Sequence, residues 1–544
     1  MGGRVNAAGR PTTYNFADLW EAVWPLVPDR TAIVCGRDRR TYADLAENAN
    51  RLARHLASTG TGPGDHVAIC MPNRVEWVEA MLAAYVLRAV PVNLNHRYTA
   101  SELRSVLEGD GARTIVSDHT VAAEVAKVVD ALDIAEHVCV ADAVDAGTSY
   151  ADAVAAQSGE PLDVPGRSSD DHYIIYTGGT TGRPKGVVWR QEDAFFGCIG
   201  GGDPMRLLGA VTEPGQIVDR IVDGFSFLPL APMMHAAAQW TTLSWLFAGG
   251  KVTLMPGPLD PPAVWQAVQD EAVNSMTVVG DAVGRPLVAA WEAAPDRWDV
   301  SALFAISNGG APMSASLKAR LGELFPGRVI TDGFGSSEAG VQGSQRVAAE
   351  DAGASTGLSR FLPNPGTVVF DDGLRPVAPG SGVIGRVANT GRLPIGYLAD
   401  PEKTAETFVE VEGRRYCFTG DMATVAPDGT IQLLGRGSQC INTGGEKVFP
   451  EEVETVLVDH PAVTDVLVVG IPDERWGRAV TAVVQPANPM RPPSIDELRD
   501  FGRASLAGYK LPKRLVVVDR VRRSPAGKAD YRWAAETAEK HADP

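Results

Sequence analysis

Helical and strand-like segments alternate along the first 140 residues, and this alternation strongly constrains the fold. Apolar residues recur at helical spacing between residues 45 and 56, a Gly-rich turn follows, and the apolar run 67–71 is typical of a strand. A helical stretch at 77–87 and a strand-like stretch at 90–93 repeat the pattern. Because parallel strands need long connections, which helices supply, we predict a layered α/β architecture with parallel strands.

Two later regions have different patterns. Short strand-like pieces separated by turns fill residues 365–435, which favours a small β-rich part with antiparallel strands. From residue 436 onward, two helical stretches and several apolar runs predict a small α+β domain of about 110 residues. We therefore predict a large N-terminal domain over 1–435 and a small C-terminal domain over 436–544. The tail 534–544 has few apolar residues beyond alanine and is expected to fray.

Charge and composition exclude several classes of protein. The chain has 67 Asp and Glu against 50 Lys and Arg, a net charge of −17, so it repels nucleic acid and anionic lipid and we expect neither as a partner. No stretch reaches the roughly 18 apolar residues that a membrane span requires. The start of the chain lacks the apolar run of a signal peptide, so we predict a cytoplasmic protein. The six cysteines form no CxxC pair, which argues against a disulfide framework and a thiolate zinc site.

A loop rich in glycine and threonine is the strongest chemical signal. The sequence YTGGTTGRPKG, residues 176–186, lies between two strand-like runs. Its glycines let backbone N–H groups converge on an anion, and its hydroxyls and lysine add donors and charge, so it suits a polyphosphate. It is not a Walker A loop, because two residues separate Gly182 from Lys185. A flexible surface loop is the alternative. The candidate phosphate-binding residues are Thr177, Gly178, Gly179, Thr180, Thr181, Gly182 and Lys185.

Further motifs accompany this loop in a fixed order. They are LPLAPMMH ending at His235, NGGAP ending at Pro312, DGFGSSE ending at Glu338, TGD ending at Asp421, GR ending at Arg436, GGEKV starting at Gly444 and SPAGK ending at Lys528. The set resembles the signature of the AMP-forming adenylating superfamily, which contains acyl-CoA synthetases, peptide-synthetase adenylation domains and luciferases. The segments CINTGGEKVFPEEVE and RSPAGKADYRW look most like the corresponding segments of actinobacterial fatty-acyl and steroid-side-chain CoA ligases.

The resemblance implies a reaction in two steps, with ATP, Mg²⁺ and CoA. A carboxylate attacks the α-phosphate of ATP, pyrophosphate leaves and an acyl-adenylate remains. The small domain then rotates about a hinge at Ser438, and the CoA thiol attacks the adenylate. Because negative charge accumulates on the phosphate, a lysine, a Mg²⁺ ion and loop donors are required. Many relatives carry a charged residue at the hinge, whereas Ser438 and Gln439 stand here.

The resemblance also implies a role for each motif residue. Lys528 would act at the α-phosphate and the substrate carboxylate, and His235 would lie between the acyl pocket and the nucleotide, although such a histidine is often only part of a core. Glu338 and Thr177 would hold Mg²⁺. Nucleotide contacts are implied for Gly310, Ala311, Pro312, Asp332, Gly333, Phe334, Gly335, Ser336, Ser337, Asp421 and Arg436, and CoA contacts for Gly444 and Gly445. Asp421 could instead cap a turn, and Arg436 could form an interdomain salt bridge.

Two enzymatic functions and one binding function remain open at this point. The preferred one is an ATP-dependent, AMP-forming acyl-CoA ligase for a fatty, steroid-side-chain or aryl acid, since the stretches 235–245 and 278–282 are apolar. The alternative is an ATP-dependent diazotase, which would adenylate nitrite and diazotise an aromatic amine such as an amino-hydroxy-aryl acid. A non-catalytic binding protein is disfavoured, because the chain keeps Lys185, Glu338, Asp421, Arg436 and Lys528 together.

Overall fold

The computed structural model describes residues 9–141, 147–177, 184–347, 358–524 and 527–541. Its α-helices are α1 (Phe16–Val23), α2 (Tyr42–Ser58), α3 (Val75–Val86), α4 (Ala100–Asp110), α5 (Ala122–Val129), α6 (Tyr150–Ala155), α7 (Gln191–Gly197), α8 (Ala236–Phe247), α9 (Pro261–Asp270), α10 (Gly280–Ala293), α11 (Ala315–Leu324), α12 (Pro401–Thr407), α13 (Pro450–Leu457), α14 (Ile495–Gly502) and α15 (Tyr531–Lys540).

The strands belong to five sheets. They are β1 (Thr31–Cys35), β2 (Asp38–Thr41), β3 (His66–Cys70), β4 (Val90–Asn93), β5 (Thr114–Asp118), β6 (Glu136–Val140), β7 (Thr148–Ser149), β8 (His172–Thr177), β9 (Lys185–Arg190), β10 (Ser226–Pro229), β11 (Lys251–Leu254), β12 (Ser275–Val278), β13 (Ala305–Asn308), β14 (Val329–Ser336), β15 (Gly340–Val347), β16 (Arg360–Pro363), β17 (Thr367–Phe370), β18 (Gly385–Thr390), β19 (Gly396–Tyr397), β20 (Phe408–Val411), β21 (Arg414–Val425), β22 (Ile431–Arg436), β23 (Ile441–Thr443), β24 (Glu446–Val448), β25 (Val463–Asp473), β26 (Gly477–Pro486) and β27 (Arg514–Val517).

The predicted helix–strand alternation is confirmed in the first 140 residues. The helical spacing at 45–56 lies in α2, which begins with a capping box between Thr41 and Asp44. The next strand, β3, is central in a parallel five-stranded sheet of order β4-β3-β5-β6-β7. Its residues 67–70 are all buried, as expected for a strand covered on both faces.

A long mixed sheet carries most of the rest of the large domain, and β8, β9 and β19 form a separate three-stranded sheet. Strands β1, β11, β10, β12, β13 and β14 run parallel, and from β14 onward the neighbours β15, β16, β22, β21, β18 and β17 are antiparallel. The short strand-like pieces predicted between 365 and 435 correspond to the antiparallel end of this sheet. The mixed α/β fold class, with a β-rich part in the large lobe, is therefore confirmed.

A small α+β domain follows β22. Its main sheet has the order β25-β26-β27, with α13 and α14 contributing to one core and α15 to a second. The expectation of a frayed tail is wrong for residues 534–540, which belong to α15. Ala534 and Ala538 are fully buried against Leu467 and Val469 of β25, so two alanines one turn apart supply the packing face. The domain boundary at residue 435 and the mobility of the small domain stay predictions.

Two further expectations can be compared with the described residues. All six cysteines are free thiols, and five of them are buried, which agrees with their interpretation as small apolar residues. In the part of the chain that the structure describes, no helix combines the length and the apolar character needed to cross a bilayer.

Candidate active site

The site lies at the carboxyl ends of β13 and β14, where ligands commonly bind in open parallel sheets. Asn308, the last residue of β13, organises this edge. Its side chain accepts a hydrogen bond from Gly280 N (2.7 Å) and donates to the carbonyl of Ala311 (2.9 Å). It also donates to Asp332 Oδ1 (2.7 Å). One amide therefore fixes the segment 309–312 between α10 and β14.

Gly310, Ala311 and Pro312 form a tight turn at this edge. Gly310 has φ of +86°, a backbone conformation that favours glycine. The backbones of Gly280 and Pro312 are in close contact, because a Cβ added to Gly280 would lie only 2.5 Å from the carbonyl oxygen of Pro312. The start of α10 thus packs against one side of the turn. The adenine contact that the resemblance implies would lie on the other side.

Asp332 is engaged by the protein itself. Its carboxylate is 2% exposed and receives Lys318 Nζ (2.5 Å) and Ser359 Oγ (3.1 Å) in addition to the Asn308 amide. A buried carboxylate needs such partners to offset the loss of hydration. Any contact of Asp332 with a nucleotide would therefore come from its backbone.

The rest of the DGFGSSE motif forms the end of β14 and the turn into β15. Gly333 and Gly335 stay on the strand, and a Cβ on Gly335 would lie 2.2 Å from the carbonyl of Gly340. Phe334 packs against Phe361 with ring centroids 4.9 Å apart. Ser336 and Ser337 shape the turn that carries Glu338, through bonds from Ala339 N to Ser336 Oγ (3.1 Å) and from Trp189 Nε1 to Ser337 O (2.9 Å).

Tyr397 connects Glu338 to the hairpin of β8 and β9, the two strands that flank the Gly/Thr loop. The Tyr397 hydroxyl donates to Glu338 Oε1 (3.1 Å), and Lys185 Nζ lies 5.6 Å from the centroid of the Tyr397 ring. Lys185 also forms an ion pair with Asp400 (2.6 Å). Thr177 is paired with Lys185 across β8 and β9. Thr177, Lys185 and Glu338 are therefore neighbours in space.

Part of the predicted phosphate loop lies outside the described residues, namely Gly178, Gly179, Thr180, Thr181 and Gly182. Sequence reasoning gave no role to Tyr397 or Asp400. Both residues lie in the stretch GYLADPEKT, residues 396–404, in which Tyr397 follows a glycine and Asp400 precedes Pro-Glu-Lys-Thr. This stretch is the sequence signal that could have identified them.

Asp421 and Arg436 form a cross-strand pair between β21 and β22, with Arg436 Nε 3.4 Å from Asp421 Oδ1. Thr419 Oγ1 donates to Asp421 Oδ2 (2.7 Å). Burial raises the pKa of the Asp421 carboxyl, and the Arg436 charge opposes that rise. Arg436 thus pairs with Asp421 between adjacent strands of the long sheet.

The loop bearing Lys528 reaches this site from the small domain. At the preceding Gly527, with φ of +69°, a Cβ would lie 3.1 Å from the carbonyl of Val279 and 3.2 Å from Cβ of Ala282 in the large domain. Lys528 is exposed to solvent, although protein atoms surround part of its side chain. This burial lowers the pKa of its ammonium, as does nearby Arg436.

The negative charges near Lys528 are those of the candidate site. The carboxylates of Glu338 and Asp421 both raise the pKa of Lys528 and so partly offset its burial. One lysine of the small domain is thus within electrostatic reach of the two carboxylates that the motifs singled out. Its ammonium is a cation available to an anionic group that enters the cleft.

His235 directly precedes α8 and lies within electrostatic reach of Lys528. Burial, followed by the charge of Lys528, lowers the pKa of His235 to about 4, so its imidazole is neutral near pH 7. Its Nε2 is buried without a hydrogen-bond partner among the described residues. A buried polar atom of this kind usually has a partner, so Nε2 is available to a bound molecule. His96, which sequence reasoning missed, also lies near His235 and has a buried, unpartnered Nδ1 in the same part of the chain.

Gly444 and Gly445 make the turn between β23 and β24 on the small domain, with φ of +59° and +88°. Gly444 N donates to the carbonyl of Trp476 (2.8 Å). The Trp476 ring lies 4.8 Å from the Arg475 guanidinium and 5.2 Å from Lys513 Nζ. The structure thus sets the two glycines beside an aromatic and basic surface that motif reasoning did not identify.

Comparison with known protein families shows which family this chain belongs to. Residues 20–392 match the model of the AMP-binding enzyme family, and residues 452–528 match the AMP-binding enzyme C-terminal domain. The chain belongs to this enzyme family, as the resemblance predicted.

Its relatives and structural neighbours span nearly the full chain. It is 42% identical over 536 residues to the 3-oxocholest-4-en-26-oate–CoA ligase of Rhodococcus rhodochrous, covering 96% of this chain and 95% of the relative. It is 44% identical over 534 residues to the medium/long-chain-fatty-acid–CoA/3-oxocholest-4-en-26-oate–CoA ligase of Mycobacterium tuberculosis, covering 96% of each. The crystal structure of the anthranilate CoA ligase AuaEII in complex with anthranoyl-AMP shares the fold, with a TM-score of 0.83, 23% identity, and coverage of 98% of this chain and 100% of that one.

Proposed function

We propose that this protein is an ATP-dependent, AMP-forming acyl-CoA ligase that activates a fatty or steroid-side-chain carboxylic acid and transfers it to CoA. The observation that carries the proposal is the contact of Gly527 with Val279 and Ala282, which brings the adjacent Lys528 from the small domain to the cleft, where the charges of Glu338 and Asp421 act on it. The two relatives named above, which match this chain over 96% of its length, are ligases of these acid classes.

In the first step, the substrate carboxylate attacks the α-phosphorus of ATP, the bond to the leaving oxygen breaks, and pyrophosphate departs. Lys528 stabilises the negative charge that develops on the phosphoryl oxygens and the incoming carboxylate. Lys185 and Thr177 contact the phosphates at the base of the Gly/Thr loop. Asp421 accepts hydrogen bonds from the ribose hydroxyls, while the turn Gly310–Ala311–Pro312 borders the adenine.

The site also fits Mg²⁺. The carboxylate of Glu338, oriented by the Tyr397 hydroxyl, and the hydroxyl of Thr177 are the hard oxygen ligands that Mg²⁺ prefers. Among the described residues, no group of three or more His, Cys, Asp and Glu is arranged to hold a metal ion. Mg²⁺ usually keeps water and phosphate oxygens as ligands and binds proteins through one or two carboxylates. Bound there, Mg²⁺ would supply charge neutralisation for the phosphates.

The acyl group occupies the apolar side of the cleft, near the start of α8 and the start of α10. His235 lies between this pocket and the nucleotide. Its ring is neutral, and its buried Nε2 has no partner among the described residues, so it offers one polar contact to the adenylate. Apolar walls favour an acid with a large hydrophobic body.

In the second step, the small domain rotates about the 3₁₀ turn at 437–439, which contains the hinge residue Ser438. The rotation withdraws Lys528 and brings the Gly444–Gly445 turn toward the cleft. The CoA thiol then attacks the acyl carbonyl, and AMP leaves. Trp476, Arg475 and Lys513 beside this turn suit the aromatic and anionic nucleotide of CoA.

The alternative functions receive no comparable support. The relatives named above are CoA ligases, and no feature of the described residues favours nitrite and an aromatic amine as substrates. A cytoplasmic location is part of the proposal and rests on the sequence.

The direct test is a substrate screen with purified protein, ATP and Mg²⁺. Fatty acids of increasing length, a steroid side-chain acid and aryl acids are each supplied with and without CoA, and nitrite with an aminoaryl acid forms a separate arm. The expected result is acid-dependent pyrophosphate release and a CoA thioester detected by mass spectrometry. Turnover that requires nitrite and ignores CoA, or no pyrophosphate with any acid, would contradict the proposal.

A further inference from the structure

One ion pair joins the two domains away from the reacting groups. Asp459, which follows α13 in the small domain, lies with Oδ1 3.1 Å from a terminal nitrogen of Arg285 in α10 of the large domain. Ser316 Oγ of the large domain also donates to the same oxygen. Among the described residues, this is the ion pair that connects the two sides of the turn at 437–439.

We propose that Asp459 and Arg285 are positioning residues, which hold the small domain in the orientation that delivers Lys528 to the cleft for adenylation. The inference rests on the proposed function for its chemical consequence. Two contacts of the small domain with α10, the Asp459–Arg285 pair and the packing of the Lys528 loop, support it independently of the substrate.

Contacts within the large domain hold Arg285 in place independently of Asp459. Arg285 Nε donates to Asp281 Oδ2 (2.7 Å), and a terminal nitrogen donates to Ser314 Oγ and Ser316 Oγ (both 2.9 Å). The other oxygen of Asp281 accepts from Ser314 N (2.7 Å). Because these partners fix the guanidinium, little side-chain freedom is lost when Asp459 docks, and the contact selects one orientation.

The same helix receives the Lys528 loop. Gly527 packs against Val279 and Ala282 at the start of α10, and Asp459 binds at Arg285. Three to six residues of helix span about 5 to 9 Å. The small domain is thus anchored at two points on the first turns of α10, and losing one anchor lets it pivot about the other.

The helix also connects this contact to the nucleotide side of the site. Gly280, its first residue, bonds Asn308 and packs under Pro312, while Asp281 N donates to the carbonyl of Pro312 (3.3 Å). Docking of the small domain and the position of the 310–312 turn therefore share one rigid element. This is the physical basis for coupling the domain orientation to a bound nucleotide.

The pair suits a contact that must open in every cycle. Its side chains are 33% and 27% exposed, so the charges keep part of their hydration and separate at a small cost. The hinge residues Ser438 and Gln439 carry no charge. The electrostatic contact that selects the adenylation orientation lies at Asp459 instead.

The test separates the two half-reactions. Asp459→Ala and Asp459→Asn are assayed for pyrophosphate release without CoA and for thioester formation from supplied acyl-adenylate. We expect adenylation to slow by about tenfold, the scale of typical coupling between sites, with the second half-reaction unchanged. Asp496→Ala is the matched control, because Asp496 is an exposed carboxylate of the same domain, and it should leave both rates unchanged. Equal losses in both half-reactions would overturn the inference.

A structural measurement keeps the inference testable even if no acid is turned over. Spin labels are attached to cysteines introduced at Glu323 and Glu539, exposed residues on helices of the large and small domains, with Cys440 replaced by serine. The distance distribution between them should be narrow in the parent protein and broader in both Asp459 variants. An unchanged distribution would reject the positioning role, whereas failure of the substrate screen alone would reject only the proposed function.

Discussion

The ammonium of Lys528 and the imidazole of His235 come from different domains and lie close enough for the charge of Lys528 to act on the imidazole. The charge of Lys528 adds to burial in lowering the pKa of His235 to about 4. Burial lowers the pKa of Lys528 as well, while Glu338 and Asp421 oppose that change. The two residues therefore present one cation and one neutral ring to the same cleft.

Replacing Lys528 should separate the half-reactions. In Lys528→Ala we expect adenylation to lose about 3 to 4 kcal/mol of transition-state stabilisation, the usual scale for an electrostatic donor, because the cation that the SPAGK loop brings to the cleft is lost. Thioester formation from supplied acyl-adenylate should persist. Pyrophosphate release and thioester yield measure the two steps, with the exposed Lys540→Ala as control. Loss of both steps to the same extent would argue against the assigned role.

Replacing Glu338 should weaken the use of Mg²⁺. In Glu338→Gln one charged oxygen ligand is lost, so we expect the Mg²⁺ concentration for half-maximal adenylation to rise at least tenfold and high Mg²⁺ to restore much of the rate. Tyr397→Phe removes only the hydrogen bond to Oε1 and should have a smaller effect. A Mg²⁺ titration measures both, and a Glu338→Gln curve that overlays the parent curve would contradict metal binding.

Replacing Asp421 should change the discrimination between nucleotides. Hydrogen bonds to a charged group contribute about 1.5 to 3 kcal/mol, so we expect the parent protein to prefer ATP over 2′-deoxy-ATP and 3′-deoxy-ATP by at least tenfold in kcat/KM. In Asp421→Asn this preference should shrink while Thr419 and Arg436 keep the strand pair in place. A variant with an unchanged preference would place the ribose elsewhere.

The small domain should become less stable as the pH rises. Glu454 is buried, receiving Val468 N (2.7 Å) and Tyr531 Oη (3.0 Å), and Glu451 packs against Gly435. Burial, followed for Glu454 by repulsion from Glu451, raises the pKa of both carboxyls above the ordinary value of 4.5. The unfolded state therefore releases these protons first, so the unfolding free energy falls as the pH rises above about 4.5 and levels off above the folded-state pKa values.

Hydrogen exchange of β25 and β26 between pH 5 and 9, corrected for intrinsic exchange, measures this dependence. Glu454→Gln removes one titrating group and should flatten it, while Glu539→Gln, an exposed change on α15, should leave it as in the parent. Stability that increased with pH over this range would contradict the assignment.

Local patterns predicted much of this protein because they act over short distances. The spacing of Leu45, Leu52 and Leu56 predicts the buried face of α2, and Val90–Asn93 predicts β4 to the residue. The ordered motifs likewise indicated Glu338, Asp421 and Lys528, since short stretches of sequence carry those signatures. Such features need only the periodicity of helices and strands or a contiguous pattern of residue types.

Tertiary structure alone decided the contacts between distant segments. Lys185 pairs with Asp400 across 215 residues, and Arg285 meets Asp459 across 174, at positions where each charge by itself resembles any surface charge. The packing face of α15 was missed for the same reason, because two alanines count as apolar surface only once β25 lies against them. Pairing and burial energies depend on which groups come within a few ångströms of each other, and the topology of the sheets and the docking of the domains set those distances.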